Sequence, residues 1–150
     1  EVGSIKETGR VLGPQAGMVG GGDCFPLMTN FIKECSKVKE RLIKECLLFD
    51  DGTAPFLQSI EHGHMGHGEV LARVSLQAKD QMAVAREINR QSNEISIKKH
   101  FGVPQHVWGD SLHDMYGPNA TNYHRWLRKI KKTFDPNGAS ESSTYITAKE

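Results

Sequence analysis

Long apolar runs are missing from this 150-residue chain. Nothing in it approaches the roughly 18 consecutive apolar residues that a membrane-spanning helix requires, and its start carries no signal-peptide pattern. A dominant charge is missing too, since 19 lysines and arginines stand against 18 acids for a formal net charge of +1. That balance gives no long-range pull toward nucleic acid or an anionic lipid surface. Cysteine is scarce: Cys24, Cys35 and Cys46 recur every eleven residues. On a helix rising about 1.5 Å per residue, neighbours would stand roughly 16 Å apart, too far for a disulfide or a shared metal. They read as small buried apolar residues, and an odd count suits a reducing, cytoplasmic compartment.

What remains is an ordinary globular composition, 37% apolar and 25% charged, in one domain's worth of chain. Residues 1–22 are rich in glycine without a clear period and read as an entry loop with at most one short strand. "GMVGGG" lacks the strand–turn–helix surroundings of a phosphate-binding fingerprint. A helix follows, with Asp23 as cap, Pro26 in the first turn, and Leu27, Phe31, Ile32, Cys35, Val38, Leu42, Cys46 and Leu47 on one side. "APFLQSI" and "EVLARVSL" read as strands. A second helix starts at Asp80, carries Met82, Ala85, Ile88, Ser92 and Ile95 inward, and stops near Phe101–Gly102. "VPQHVWGDSLHDMYGP" reads mostly as loop. A third helix, near Asn119 to Phe134, should turn Trp126, Leu127 and Ile130 inward and leave "RWLRKIKK" as a solvated charged face. "DPNG" signals a turn, and residues 139–150 read as a tail.

Helix, strand, strand, helix, with a further strand available on either side, predicts an α+β fold. It would be a small antiparallel sheet with helices on one face, a ferredoxin-like cap domain over 23–103. A closing segment with a C-terminal helix would follow over 104–138. The sheet's other face would be left for a partner surface.

"SIEHGHMGHGEV" sets His62, His64 and His67 among glycines. On an extended strand His62 and His64 would point the same way, an arrangement two ligands of one metal can use. The alternatives are pocket-lining histidines or a solvated run, and pocket lining is the preferred reading. His106 and Trp108 read either as a base and an aromatic wall or as a packed tryptophan beside an exposed histidine.

"YGPNATNYHRWLRKIKKTFDPNG" resembles the C-terminal segment of FAD-linked oxidases of the vanillyl-alcohol oxidase and 4-cresol dehydrogenase type. Tyr116, Gly117, Pro118, Lys131, Asp135, Pro136 and Asn137 fall in that family's register. "GMVGGGDCF" resembles the glycine-rich strand before its first cap helix, and "FLQSI" with "EVLARVSL" the paired strands of its cap. In that register Gly102 and Val103 stand where the family carries a Tyr-Arg pair. The histidine run shares Gly63, His64, Gly66 and Gly68 with a metal-binding stretch of the related 2-hydroxy-acid dehydrogenases, a single ligand, so the resemblance implies no metal.

The resemblance implies the substrate-covering portion of an FAD-dependent oxidoreductase that moves a hydride from a small organic molecule, such as a 4-substituted phenol or alcohol, to the flavin. FAD would be held mainly by a domain or subunit outside these residues. His67, His106 and Glu61 would handle protons, and Asn137 and Trp108 would approach the cofactor. Two other readings stay open: a non-catalytic subunit of a flavoprotein complex, and a small metal-binding protein using the His62–His67 run. Self-association and the electron acceptor are also left open.

Overall fold

The computed structural model describes residues 15–22, 24–49, 55–74, 79–104, 107, 109–140 and 145–149. They fall into two compact units, Glu1–Gln105 and His106–Glu150.

The first unit runs β1 (Gln15–Gly22), α1 (Phe25–Lys44), β2 (Pro55–Ile60), β3 (Met65–Arg73), α2 (Lys79–Lys98) and β4 (Val103–Pro104). Its four strands pair antiparallel in the order β2-β3-β1-β4. This is the split βαβ arrangement of ferredoxin-like folds, an α+β sheet with its helices on one face. The further strands anticipated before and after the predicted pair are β1 and β4. The one short strand allowed for in residues 1–22 is β1, which lies in the middle of the sheet and pairs with β3 along its whole length, while residues 1–14 lie outside the described residues.

The glycines explain why β1 has no clear period in the sequence. Gly20 lies opposite Gly68 and Gly22 opposite Gly66 in the β1–β3 register. A Cβ at Gly20 would meet the Phe31 ring at 3.1 Å and Ser96 Oγ at 3.2 Å, and one at Gly66 would meet Met28 Cγ at 2.9 Å. The four glycines form a bare patch on which α1 and α2 both lie closely. The strand therefore lacks the alternating side chains that usually announce one, because side chains of the two helices need that space. Phe31 and Met28 fill the patch and are fully buried with Met18, Cys35, Val70 and Ile88. Phe31→Ala removes the ring seated on the glycines and is expected to cost about 3–5 kcal/mol in urea unfolding.

Further local readings change for identifiable reasons. α1 ends at Lys44 rather than near Leu47, because Cys46 turns into the left-handed region (φ 58°) and the amides of Leu47 and Leu48 bond back to the Leu42 carbonyl. That turn leaves Cys46 exposed, as Cys24 is, so only Cys35 is the buried apolar residue expected of all three. Burial, with Glu34 adding to it, pushes the Cys35 thiol up to about 12, which leaves it unreactive. Asp23, the expected cap, lies outside the described residues.

The second unit contains α3 (Gly109–Tyr116), a 3-10 turn (Gly117–Asn119) and α4 (Tyr123–Phe134). α3 corrects the loop reading of its segment. α4 is inside-out relative to expectation: Trp126 is 66% exposed, Ile130 52% and Phe134 84%. Its inward side is polar instead. Arg128 donates to Asp114 at 2.5 Å and to Asp110 at 3.3 Å, Lys131 to Asp135 at 2.9 Å, and His124 is buried. Paired charges with aliphatic stems thus occupy the place an apolar stripe would take. Arg125, Lys129 and Lys132 are exposed as read, whereas Arg128 and Lys131 are not. The tail reading also fails for residues 146–147: Ile146 is buried, and Thr147 donates through its amide and hydroxyl to Asp110 at 2.9 and 2.7 Å.

This polar interior makes the second unit acid-sensitive in two stages. Burial, reinforced by Arg128, pushes His113 below its ordinary value of 6.5. Burial pushes Asp110 up, but bonds from Thr147 and Arg128 outweigh it and hold the carboxyl below 3.8, while the Arg128 bond depresses Asp114. All three bind protons more readily when unfolded, so stability rises with pH across each window. Denaturant midpoints followed at this unit's resonances should fall first as pH drops below about 6.5, then again below about 4. His113→Leu should flatten the upper stage alone.

Candidate functional site

Strand alternation divides β3 cleanly. Gly66, Gly68, Val70 and Ala72 face the helices, so His67, Glu69, Leu71 and Arg73 project from the face that carries neither helix. Cross-strand register then supplies the neighbours. His67 lies between Gln58 on β2 and Gly21 on β1, Glu69 between Phe56 and Val19, and Leu71 opposite Gly17.

His67 Nε2 and Glu69 Oε1 are 2.6 Å apart. The imidazole keeps only 9% of its exposure, and Glu69 is half-buried. The Phe56 ring stands edge-on to the imidazole with centroids 6.0 Å apart, a favourable aromatic geometry that fixes the ring plane. With Nε2–H donating to the carboxylate, Nδ1 is left as the acceptor nitrogen. Beside it Gly21, itself buried, leaves a shallow, methyl-sized recess: a Cβ there would be in ordinary contact with the Gly66 carbonyl at 3.8 Å and Val103 Cγ2 at 3.9 Å. The pair thus joins an imidazole to a carboxylate next to a strand position without a side chain.

Of the residues singled out from sequence, His67 stands at this centre. Glu61 does not join it. It lies in the 3-10 turn Glu61–Gly63 after β2, exposed and in the left-handed region (φ 51°). The carboxylate on His67 is Glu69, two residues along the same strand. The reading of His62 and His64 as strand neighbours is corrected as well. The turn splits the run, with His62 inside it at φ 54° and His64 closing it, both exposed. Among the described residues no group of three or more His, Cys, Asp or Glu side chains could hold a metal ion. Asn137 sits exposed in the turn after α4, where Asp135 accepts from the amides of Ala139 and Ser140 at 2.7 and 3.0 Å. His106 and Trp108 lie outside the described residues.

Searches of family models, curated proteins and solved structures find no match to this chain. The chemistry must therefore be read from its own residues. Among the described residues no helix is long and apolar enough to cross a membrane.

The FAD expectation can be tested against the β1–β3 surface. Gly17, Val19 and Gly21 lie opposite Leu71, Glu69 and His67, and the Val19 and Leu71 side chains close over Gly17. The glycine-rich strand itself is no phosphate cradle, since it is paired along its length with β3 and its other face lies against helices. The paired strand does not fit a holder of the dinucleotide's phosphates.

Proposed function

We propose that this chain is the substrate-covering part of an FAD-dependent oxidoreductase, with the helix-free face of its sheet laid over the ring and a small organic alcohol or 4-substituted phenol. The observation that carries the reading is the His67–Glu69 pair, joined at 2.6 Å beside the Gly21 recess. A flavin bound against this face would supply the acceptor for the hydride leaving the carbinol carbon. His67 takes the hydroxyl proton at Nδ1, so the substrate loses two electrons and two hydrogens and leaves as the carbonyl compound. Glu69 holds the imidazole in the productive tautomer and stabilises its charged form. Val19, Leu71 and Phe56 exclude water around the reacting carbon. Trp126, Ile130 and Phe134, exposed on α4, are support from a second direction, since apolar ridges of this kind mark surfaces that work against another body. In this reading that body is the flavin-holding domain or subunit.

The test is purification from the native source, followed by anaerobic addition of 4-hydroxybenzyl alcohol. The expected result is a yellow preparation, with a flavin-binding polypeptide joined to or accompanying this chain, whose oxidised-flavin band bleaches on addition. A colourless preparation containing this chain alone would falsify the reading.

The recess gives a sharper prediction on the same protein. Gly21→Ala fits without collision and should leave turnover within about threefold. Gly21→Leu fills the gap beside His67 and should raise KM at least about tenfold, with the folded signal in circular dichroism unchanged.

A further inference from the structure

The second unit carries a cleft of about 360 Å³ between α4, α3 and Ala148, lined in part by Arg125, Arg128, Lys129 and Lys132. Its size lies within the range of small-molecule sites. Four cations meet there with one carboxylate, Asp114, and Asp114 is already held by Arg128 at 2.5 Å. α4 contains no acidic residue of its own. Arg125, Lys129 and Lys132 recur at helical spacing along one edge of α4. Arg128 is the buried member, 11% exposed, its terminal nitrogens held by Asp114 and Asp110 and its Nε out of reach of solvent, so it contributes positive charge to the cleft wall. His124 closes the inner wall, with Nδ1 packed against Gly117 and Nε2 3.9 Å from Asp114 Oδ1.

We propose that this cleft binds a small organic oxyanion, a phosphate or carboxylate attached to an apolar body. The anionic group would sit among Arg125, Lys129 and Arg128, and the apolar part would lie on the aliphatic stems and the Ala148 methyl. The inference is independent of the flavin reading, because it concerns residues of the second unit alone. Nothing in it requires a partner protein.

The experiment titrates the full chain with phenyl phosphate and with benzoate at low ionic strength, followed by calorimetry and amide chemical shifts. Saturable binding of at least one probe is expected, with shifts centred on Asp114, α4 and Ala148. Response to phenyl phosphate alone assigns a phosphate site, to benzoate alone a carboxylate site, and to both a general oxyanion site. The exposed pair Arg125→Gln with Lys129→Gln should weaken binding at least about tenfold. Lys33→Gln with Lys37→Gln, an equal loss of charge on α1, should leave it unchanged. Lys129→Met keeps the stem and should weaken binding by charge alone. If neither probe saturates, or if the α1 pair weakens binding as much as the α4 pair, the assignment is overturned.

Discussion

Replacing His67 with glutamine is expected to slow substrate-driven flavin bleaching in the complete flavoprotein by about 10²–10⁴-fold, the usual worth of a positioned general base. Glutamine keeps a polar side chain of similar reach against Glu69 but has no nitrogen able to take the substrate's proton. The loss should therefore fall on kcat, with KM nearly constant, because a missing base acts in the transition state and not in the bound ground state. Glu69→Gln should cost less, about tenfold to a hundredfold, since the imidazole survives and only its orientation and charge balance suffer. A further readout separates chemistry from packing. His67→Ala opens space beside the Gly21 recess, and added imidazole should recover part of the lost rate. Turnover of the glutamine variant within about threefold of the parent would remove His67 from the reaction.

The site was partly legible because strand periodicity is a strong local rule. In "MGHGEV" alternation alone puts His67 and Glu69 on one face, two residues apart and within bonding reach. The resemblance points to Glu61 as the carboxylate instead. The strand is read only from Glu69, so His67 is not placed on it. Left-handed backbone at Glu61 and His62 makes the turn, and neither residue type announces it as glycine would. The overall fold was legible for a similar reason, as the two long helices and β3 carry strong periods. β1 was obscured because its information lies in what it lacks. Gly20 and Gly22 are selected by the nearness of Phe31, Met28 and the Phe101 carbonyl, contacts that belong to segments distant in sequence. α4 shows the opposite failure. Its apolar ridge is plain in the sequence, but the side that turns inward was settled by Asp110 and Asp114 on another helix.

Gly102 is where a single methyl group should do the most damage to the first unit. It precedes β4 with φ 155°, and a Cβ there would strike the Gly21 carbonyl and the Gly22 Cα. Those are backbone atoms of the central strand, so no side-chain rotation can relieve the clash. Yielding would mean breaking the pairing of Gly20 with Pro104 and Gly21 with Val103, which is all of β4's pairing with β1. Forced overpacking costs about 1–3 kcal/mol and an unfavourable backbone conformation about as much again. Gly102→Ala should therefore lose about 3–5 kcal/mol, a large share of the 5–15 kcal/mol typical of a whole domain. Gly63→Ala is the matched comparison: its φ is 93°, but a Cβ there meets only Ser59 Oγ at 3.6 Å. It should lose about 1–2 kcal/mol from conformation alone. Urea unfolding of the two variants measures the difference directly, and equal losses would mean that β4 does not depend on the close passage of Gly102 over Gly21. Because β4 also carries Val103, the far rim of the recess, Gly102→Ala should widen the substrate site as well, raising KM under conditions where the protein remains folded.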